Sequence, residues 1–205
     1  MFGFTEEEME VFRKIDTPQK IQDFLDEMPI NFEESGDTCK SPRMVMKTGS
    51  AHCMEGAMFA AVALRINGFK PLIVDMTAAS FDYDHVIAVF KQNGFWGAIS
   101  KTNHSVLRYR EPVYKNIREL VMSFFHEYID DSGGRKALRS YSKPVNLSRF
   151  DAQGWMTAEK DVWYVPVYLS KARHYRVINR SQIARLRKPH TIEIKAGNMV
   201  QWTNN

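Results

Sequence analysis

The sequence predicts an α+β fold in which a central helix packs on an antiparallel sheet. Helical and strand-like patterns are segregated along the chain instead of alternating, and two of the strand-like runs are separated by a hairpin signal. This arrangement favours antiparallel strand pairing. We expect a single domain over 1–205, with N-terminal helices in 1–40, a core in 41–110, and a helix plus further strands in 111–205.

Two helices are predicted near the N-terminus by their start signals. Thr5 followed by Glu8 forms a capping box, which opens the first helix. Thr17 followed by Pro18 opens the second, because proline suits the first helical position. Residues 31–50 are polar and broken by glycine and proline, so this stretch is expected to be a loop.

The central helix is predicted from Cys53 to Asn67. This stretch is rich in Ala, Met and Leu, which are good helix formers. Ser50 is the expected N-cap, and Glu55 lies in the first turn, where the helix dipole favours an acid. Gly68 directly after the helix is a typical stop signal.

Strand-like and helical patterns alternate with turns in the rest of the chain. The apolar alternation indicates strands, and the pair Asn93-Gly94 indicates a hairpin between two of them. An apolar stripe after Pro112 predicts one more helix. The predicted strands are 72–77, 85–91, 95–100, 162–168, 175–178 and 191–195, and the predicted helix is 113–129.

Composition limits the location and class of the protein. The longest apolar run, Ala57 to Leu64, has eight residues, whereas a membrane span needs about 20. Three consecutive glutamates near the N-terminus argue against a secretory or transit signal. Only two cysteines occur, so a disulfide-stapled secreted domain is not expected. We therefore expect a cytoplasmic protein with free thiols and no membrane partner.

Charge is distributed unevenly, although the net charge is only +4. Residues 1–40 hold eleven acids and four bases, whereas residues 171–188 hold seven bases and no acid. A nucleic-acid surface would interleave stacking aromatics with the bases, and only Tyr175 does so here. We expect the basic run to be a solvated face, or one that docks on the acidic N-terminal part, and we expect no nucleic-acid partner.

Cys53 and His85 are the residues most suited to chemistry. Cys53 begins a predicted helix, and the partial positive charge at a helix N-terminus stabilises a thiolate. His85 opens a strand about thirty residues later, where its ring could face the cysteine and act as its base. The alternative is that Cys53 is a small buried hydrophobe, the common role of a free cysteine.

A metal site is a weaker interpretation of the same residues. Zinc ligands could come from the cysteines and histidines, but no CxxC or HxxxH spacing occurs. His52, next to Cys53, is expected to be a polar neighbour, not a second base. Glycine-rich phosphate loops are also absent from the sequence. We expect neither a metal nor an organic cofactor. The residues considered for zinc are Cys39, His52, Cys53, His85 and His104.

The order of these motifs resembles the transglutaminase-like core of the papain-like superfamily. The resemblance covers about residues 40–110. It rests on Cys-Met-Glu-Gly-Ala at 53–57, Asn-Gly-Phe-Lys-Pro at 67–71, Asp-His-Val at 84–86 and Phe-Trp-Gly-Ala-Ile-Ser at 95–100. In that family a cysteine opens the central helix, a short link leads into the first strand, a histidine begins the next strand, and an aspartate ends the third strand a few residues after an aromatic.

The resemblance implies thiol-dependent acyl transfer or amide hydrolysis. Cys53 would be the nucleophile and His85 the general base. Ser100 occupies the position of the family aspartate, and either Ser100 or Asn103 would orient the His85 ring. The substrate would be a peptide, an amide or an acyl small molecule. The alternative is a degenerate relative that keeps the fold as a binding or structural module; the sequence does not predict the oligomeric state.

Overall fold

The computed structural model describes residues 2–130 and 134–204 and contains both helices and a sheet. The helices are α1 (Glu6–Lys14), α2 (Pro18–Glu27), α3 (Pro42–Thr48), α4 (Cys53–Ile66), α5 (Ile117–Met122), α6 (Tyr164–Ser170), α7 (Arg180–Ile183) and α8 (Thr191–Gly197), with a 3₁₀ helix at Leu147–Gln153. The strands are β1 (Leu72–Ala78), β2 (His85–Gln92), β3 (Phe95–Ile99), β4 (Arg110–Tyr114), β5 (Leu138–Ser142), β6 (Val145–Asn146) and β7 (His174–Arg176).

The strands form one antiparallel sheet, which confirms the predicted α+β class. Its order is β4-β3-β2-β1-β5-β7, and β6 pairs with the remaining end of β1. The β2–β3 hairpin turns at Asn93 and Gly94, both of which have positive φ. Such backbone angles are those of a type I′ turn, for which Asn-Gly is the favoured sequence.

The core lies on both faces of this sheet. One face of β2 packs against α4 and the N-terminal helices through Val86, Ala88 and Phe90. The other face contributes Ile87 and Val89 to a second cluster that includes the residues after α5. Because successive side chains of a strand point to opposite faces, both sides of β2 are apolar where both sides are covered.

Helix α4 is enclosed on nearly all sides. Its residues from Met54 to Leu64 are buried, and it lies against β2, α2 and α3. At Gly56 an added Cβ would come within 2.4 Å of the Lys101 Cβ, so only glycine permits this close approach. A helix surrounded by protein is apolar all round, which explains its Ala-rich sequence.

The sequence-based prediction was right for the elements with strong local signals. The Thr5–Glu8 capping box is formed at the start of α1, and Thr17 with Pro18 starts α2. Helix α4 begins at Cys53 as predicted, but its N-cap is His52 and not Ser50. The stretch 31–50 is not all loop, because Ser41 caps α3 and Pro42 occupies its first position.

The predicted helix over 113–129 was wrong at both ends, because α5 covers only Ile117–Met122. Residues Arg110–Tyr114 form β4, and α5 starts only after Asn116, which caps it. Pro112 is tolerated in β4 because this strand lies at the edge of the sheet, where its missing N–H breaks no ladder.

Two of the predicted C-terminal strands were also wrong. Residues 164–170 form α6 and residues 191–197 form α8, which is capped by His190. Short apolar runs do not distinguish a strand from a buried helix, and tertiary packing decided both. The predicted strand at 175–178 overlaps β7, whereas β5 was not predicted.

The basic run 171–188 lies on the surface. All seven of its bases are exposed, and Arg187 pairs with Glu193 at 3.3 Å. In the part of the chain that the structure describes, none of the seven forms a salt bridge with residues of 1–40. The placement agrees with a solvated face and does not support docking on the acidic segment. Across 2–130 and 134–204, no helix is long and apolar enough to cross a membrane.

Candidate active site

A cleft of about 460 Å³ opens beside the N-terminus of α4. It brings together residues that are far apart in the sequence: the start of α4, the start of β2, the segment after β3, and the turns after α5. Cys53 and His85 both line it. The other lining residues used below are Asn31, Glu33, Asp82, Asp84, Lys101, Asn103, His104, Leu107, Tyr128 and Gly197.

Cys53 is the first residue of α4 and is partly exposed to the cleft. Within the described chain its backbone N–H makes no hydrogen bond, because the first N–H groups of a helix have no intrahelical partner. Both His52 and His85 interact with its thiol closely enough to shift the pKa of the sulfur.

The two histidines make Cys53 acidic. Burial alone would raise the pKa of the thiol, but the hydrogen bonds and positive charges of His52 and His85 outweigh it and lower the pKa to about 5. The thiolate affects His52 in return. Burial lowers the pKa of His52, yet its hydrogen bond to Cys53 and the charges of Cys53 and Glu55 raise it to about 9.

His85 is oriented by Ser100. The His85 Nε2 atom lies 2.7 Å from the Ser100 Oγ, and the Ser100 hydroxyl donates to the Leu107 carbonyl at 2.5 Å. Since a hydroxyl has one proton, Ser100 must accept from His85, so the Nε2 atom carries a proton. The other ring nitrogen, Nδ1, is then left for the Cys53 sulfur. This tautomer is the one that a base facing Cys53 needs.

Gln22 of α2 holds Ser100 in place. Its amide nitrogen donates to the Ser100 carbonyl, and its amide oxygen accepts from the Ser100 N–H, each at 2.9 Å. The Gln22 side chain is buried and also bonds Asp26. The Gln22 amide therefore pairs with the backbone at the end of β3 as a neighbouring strand would. This pairing fixes the position of the Ser100 backbone and thereby of its hydroxyl. Neither Gln22 nor this contact was predicted.

Glu55 fixes the other wall of the cleft. Its carboxylate is fully buried one turn into α4 and accepts hydrogen bonds from the side chains of Asn31 and Thr38 and from the backbone of Lys40 and His52. These bonds tie the loop before α3 to the helix that bears Cys53. A buried carboxylate requires such partners because an unpaired charge would be costly.

Asn103, the second of the two residues expected to orient His85, does not bond its ring. It lines the cleft, but both ends of its amide bond the backbone of Trp202. The nearby acids also have other partners: Asp84 accepts from the Ala78 N–H, and Asp82 accepts from the Tyr83 N–H. The residue behind the Nε2 atom of His85 is Ser100, in the place where the resemblance has an aspartate.

His52 is the site residue whose importance the sequence interpretation missed. It was expected to be a polar neighbour, but its interaction with Cys53 lowers the pKa of the thiol, and its Nε2 lies 3.0 Å from the Thr38 carbonyl. The spacing His52-x-x-Glu55 is a capping-box pattern with histidine in place of serine or threonine. That pattern could have identified His52 as the N-cap and thereby as a neighbour of the sulfur.

The five residues considered for zinc do not form a metal site. Over 2–130 and 134–204, no group of three or more His, Cys, Asp or Glu side chains is arranged to hold a metal ion. Two of these residues have other environments: His104 Nδ1 lies 2.9 Å from the Gly197 carbonyl, and Cys39 is buried elsewhere.

Compared with protein families and with curated proteins, the chain matches neither a family model nor an individual protein.

Proposed function

We propose that this protein is a cysteine-nucleophile enzyme that transfers or hydrolyses an acyl group carried by an amide or ester. The observation that carries the proposal is the Cys53 thiol at a helix N-terminus, in one cleft with His85, whose Nε2 atom lies 2.7 Å from the Ser100 hydroxyl oxygen. Nucleophile, base and orienting group are the three parts that thiol catalysis requires. The transglutaminase-like resemblance in residues 40–110 points to the same chemistry.

The proposed reaction proceeds in two steps. The Cys53 thiolate attacks the substrate carbonyl carbon, and the oxyanion forms beside the unpaired Cys53 N–H at the start of α4. The C–N or C–O bond breaks as protonated His85 gives its Nδ1 proton to the leaving group, which leaves a thioester on Cys53. His85 then takes a proton from water or an acceptor amine, which attacks the thioester and releases the acyl product and the thiolate.

The surroundings fit this chemistry. Ser100 accepts the Nε2–H bond of His85 throughout both steps, so the ring keeps its orientation while the Nδ1 atom gives and takes the proton. A free thiolate requires a reducing compartment, and we place the protein in the cytoplasm. The alternative, a binding module with an inactive site, is favoured by one observation: Ser100 is neutral and does not stabilise an imidazolium as an aspartate would.

An acyl-enzyme trap separates the two functions. The protein is incubated with p-nitrophenyl acetate, and its mass and tryptic peptides are measured over time. We expect one acetyl group on Cys53, with release of nitrophenol faster than from free cysteine. His85→Asn should slow acetylation by about 10² or more, the usual contribution of general acid–base catalysis. Acetylation of Cys53 at the rate of free cysteine would favour the binding module.

A matched histidine variant controls for the loss of an imidazole. His126 is exposed and lies outside the cleft, where its ring contacts the Lys136 ammonium. His126→Asn should acetylate at the wild-type rate. If both histidine variants were equally slow, the role given to His85 would be wrong.

A further inference from the structure

The segment 198–204 lies along the rim of the cleft and is paired with the residues after β3. The Ser105 N–H donates to the Met199 carbonyl at 2.9 Å, and the Gln201 N–H donates to the Asn103 carbonyl at 2.8 Å. His104 and Val200 are opposite each other as an antiparallel bridge. Residues 103–105, which we call the rim strand, therefore hold an extended segment of this chain as one strand of a sheet holds the next.

Asn103 recognises the backbone of this segment. Its amide nitrogen donates to the Trp202 carbonyl at 2.9 Å, and its amide oxygen accepts from the Trp202 N–H at 2.8 Å. An amide that bonds both the N–H and the C=O of one residue recognises the backbone and not the side chain. Four hydrogen bonds thus hold the backbone of the segment, and any extended polypeptide could form the same four.

The segment is held by these bonds more than by burial. The side chain of Met199 is 65% exposed and that of Val200 is 45% exposed. The indole nitrogen of Trp202 is buried without a hydrogen-bond partner in the described part of the chain. Net hydrogen bonds contribute about 0.5–1.5 kcal/mol each, and an unsatisfied buried donor costs about 1–3 kcal/mol. The attachment of the segment therefore depends largely on hydrogen bonds that another extended polypeptide could also form.

One position of the segment is also read through its side chain. The Gln201 amide nitrogen donates to the Asp26 carbonyl at 2.8 Å, and its oxygen accepts from the Arg108 guanidinium at 3.1 Å. A carboxamide satisfies both partners, whereas a carboxylate would place an acceptor against the Asp26 carbonyl. Asp26 and Arg108, which lie next to the rim strand, therefore favour a glutamine at the position of Gln201 in a bound polypeptide.

We propose that the rim strand is a docking edge for an extended polypeptide, and that residues 199–202 fill it in the free protein. Asn103, His104 and Gly197 line the same cleft as Cys53, so a polypeptide bound there would lie at the edge of the cleft that contains the thiol. The identification of that polypeptide as the substrate rests on the proposed function. The docking itself does not, because none of its contacts involves Cys53 or His85.

The test uses two proline variants that differ in one hydrogen bond. Gln201→Pro removes the N–H that bonds Asn103, whereas Val200→Pro removes an N–H that makes no bond to the rim strand. Gln201→Ala controls for the lost side chain. Each variant is made with Cys53→Ser, and the probe is an acetylated peptide amide with the sequence Asn-Met-Val-Gln-Trp-Thr. Binding is followed by NMR shifts of the Asn103–Ser105 amides.

We expect the Gln201→Pro protein to bind the probe at least about tenfold more tightly than the wild type and the Val200→Pro protein, because its own segment no longer fills the edge. Adding Asn103→Ala should abolish this binding, and a probe with alanine for its glutamine should bind more weakly. Equal binding by all variants, or binding that survives Asn103→Ala, would overturn the proposal. If Gln201→Pro does not fold, Gln201→Ala combined with Trp202→Ala replaces it, with the same expectations.

Failure of this test is distinct from failure of the proposed function. The binding variants lack the thiol, so an inactive enzyme would still bind the probe if the docking edge exists. Conversely, acetylation of Cys53 by a small ester needs no contact with the rim strand. A protein that acetylates at Cys53 but binds no probe after Gln201→Pro keeps its function and loses its docking edge.

Discussion

The two cysteines of this chain have opposite environments, although they are the same residue type and lie only fourteen positions apart. Cys39 is buried at 1% exposure, and burial with the nearby charges of Glu55 and Asp161 raises the pKa of its thiol to about 12. Cys53 is partly exposed, and the pKa of its thiol falls to about 5. The cause is what faces each sulfur: acids at Cys39, imidazoles at Cys53.

The backbone of Cys39 explains its structural role. Its N–H donates to the Asp161 carboxylate, and its carbonyl accepts from the Val162 N–H, so Cys39 fastens the loop before α3 to the segment before α6. Cys53 instead lies at a helix end whose free N–H groups and neighbouring histidines favour negative charge. Reactivity is thus set by position, and Cys39 serves as an internal reference for Cys53.

The largest expected effect is the difference in alkylation between the two thiols. At pH 7 a thiol of pKa about 5 is almost fully ionised, whereas one of pKa about 12 is ionised to roughly 10⁻⁵. Nucleophilicity falls with pKa and cancels about three of those five orders of magnitude. We therefore expect iodoacetamide to modify Cys53 at least about 100-fold faster than Cys39, as measured by peptide mapping over time.

Single-cysteine variants make the comparison direct. Cys39→Ser should retain the fast phase of alkylation, and Cys53→Ser should lose it. The fast phase should persist down to about pH 5, where the Cys53 thiolate becomes protonated. A fast phase that halves near pH 8 or 9 would mean that Cys53 has an ordinary thiol pKa and that the histidines do not stabilise its charge.

A smaller effect is expected when Ser100 is replaced by alanine. Ser100→Ala removes the acceptor of the His85 Nε2–H, and a hydrogen bond to a charged group contributes about 1.5–3 kcal/mol. The pKa of Cys53, read from alkylation rate against pH, should rise by about one unit or more. Ser142→Ala is the matched control, because Ser142 is equally buried but bonds the Asp75 N–H.

An unchanged pKa profile in Ser100→Ala would show that the hydroxyl does not support the imidazolium. A loss of stability alone would not produce the expected result, because the profile reports the ionisation of Cys53 in the folded protein. Equal shifts in Ser100→Ala and Ser142→Ala would mean that the profile responds to any buried serine and not to the partner of His85.

The smallest expected effect is the pH dependence of stability. The folded pKa of Cys53 is depressed, so its contribution is present above the unfolded pKa of about 8.5 and is lost as pH falls to about 5. The folded pKa of His52 is raised, so its contribution is present below about 6.5 and is lost as pH rises to about 9. Between about pH 6.5 and 8.5 the stability gained from Cys53 and the stability lost from His52 therefore oppose each other.

The free energy of unfolding is measured with urea for the wild type and for Cys53→Ser. The wild-type value minus the variant value should rise from about pH 5 to 6.5 and then stay level to about pH 8.5. The level region depends on protonation of His52, which ends the 3.3 Å bond that its Nδ1 accepts from the Met54 N–H. A difference that continues to rise through pH 8 would show that His52 keeps that bond and stays neutral beside the thiolate.

Local sequence signals predicted the elements that carry their own start and stop residues. The caps of α1 and α2 were found because a side chain bonds the adjacent backbone, and the Asn93-Gly94 turn was found because both residues accept positive φ. The start of α4 was predicted from its helix-forming residues, although its cap is His52 and not Ser50. The strand pattern at 162–168 and 191–195 failed because short apolar runs suit either a strand or a helix. In both places the chain forms a helix.

The candidate site divides in the same way. The sequence identified Cys53, His85 and Ser100 as site candidates, because each lies at or next to the end of an element whose boundaries could be predicted. Asn103 was also predicted to be a site residue, but its amide forms a hydrogen bond with the Trp202 backbone. Gln22 had no signal, since its partner lies 78 positions away and a surface-helix glutamine looks the same in sequence.

By itself, the sequence determined that a helix begins at Cys53, that a strand begins at His85, and that the fold combines segregated helices with an antiparallel sheet. These features depend on caps, turns and periodicity, which act over a few residues. Only the tertiary structure decided that Ser100 bonds His85, that Gln22 holds Ser100, and that the rim strand is filled by 199–202. Those contacts join segments far apart in the chain, and packing of the whole core sets their distances, which no local pattern encodes.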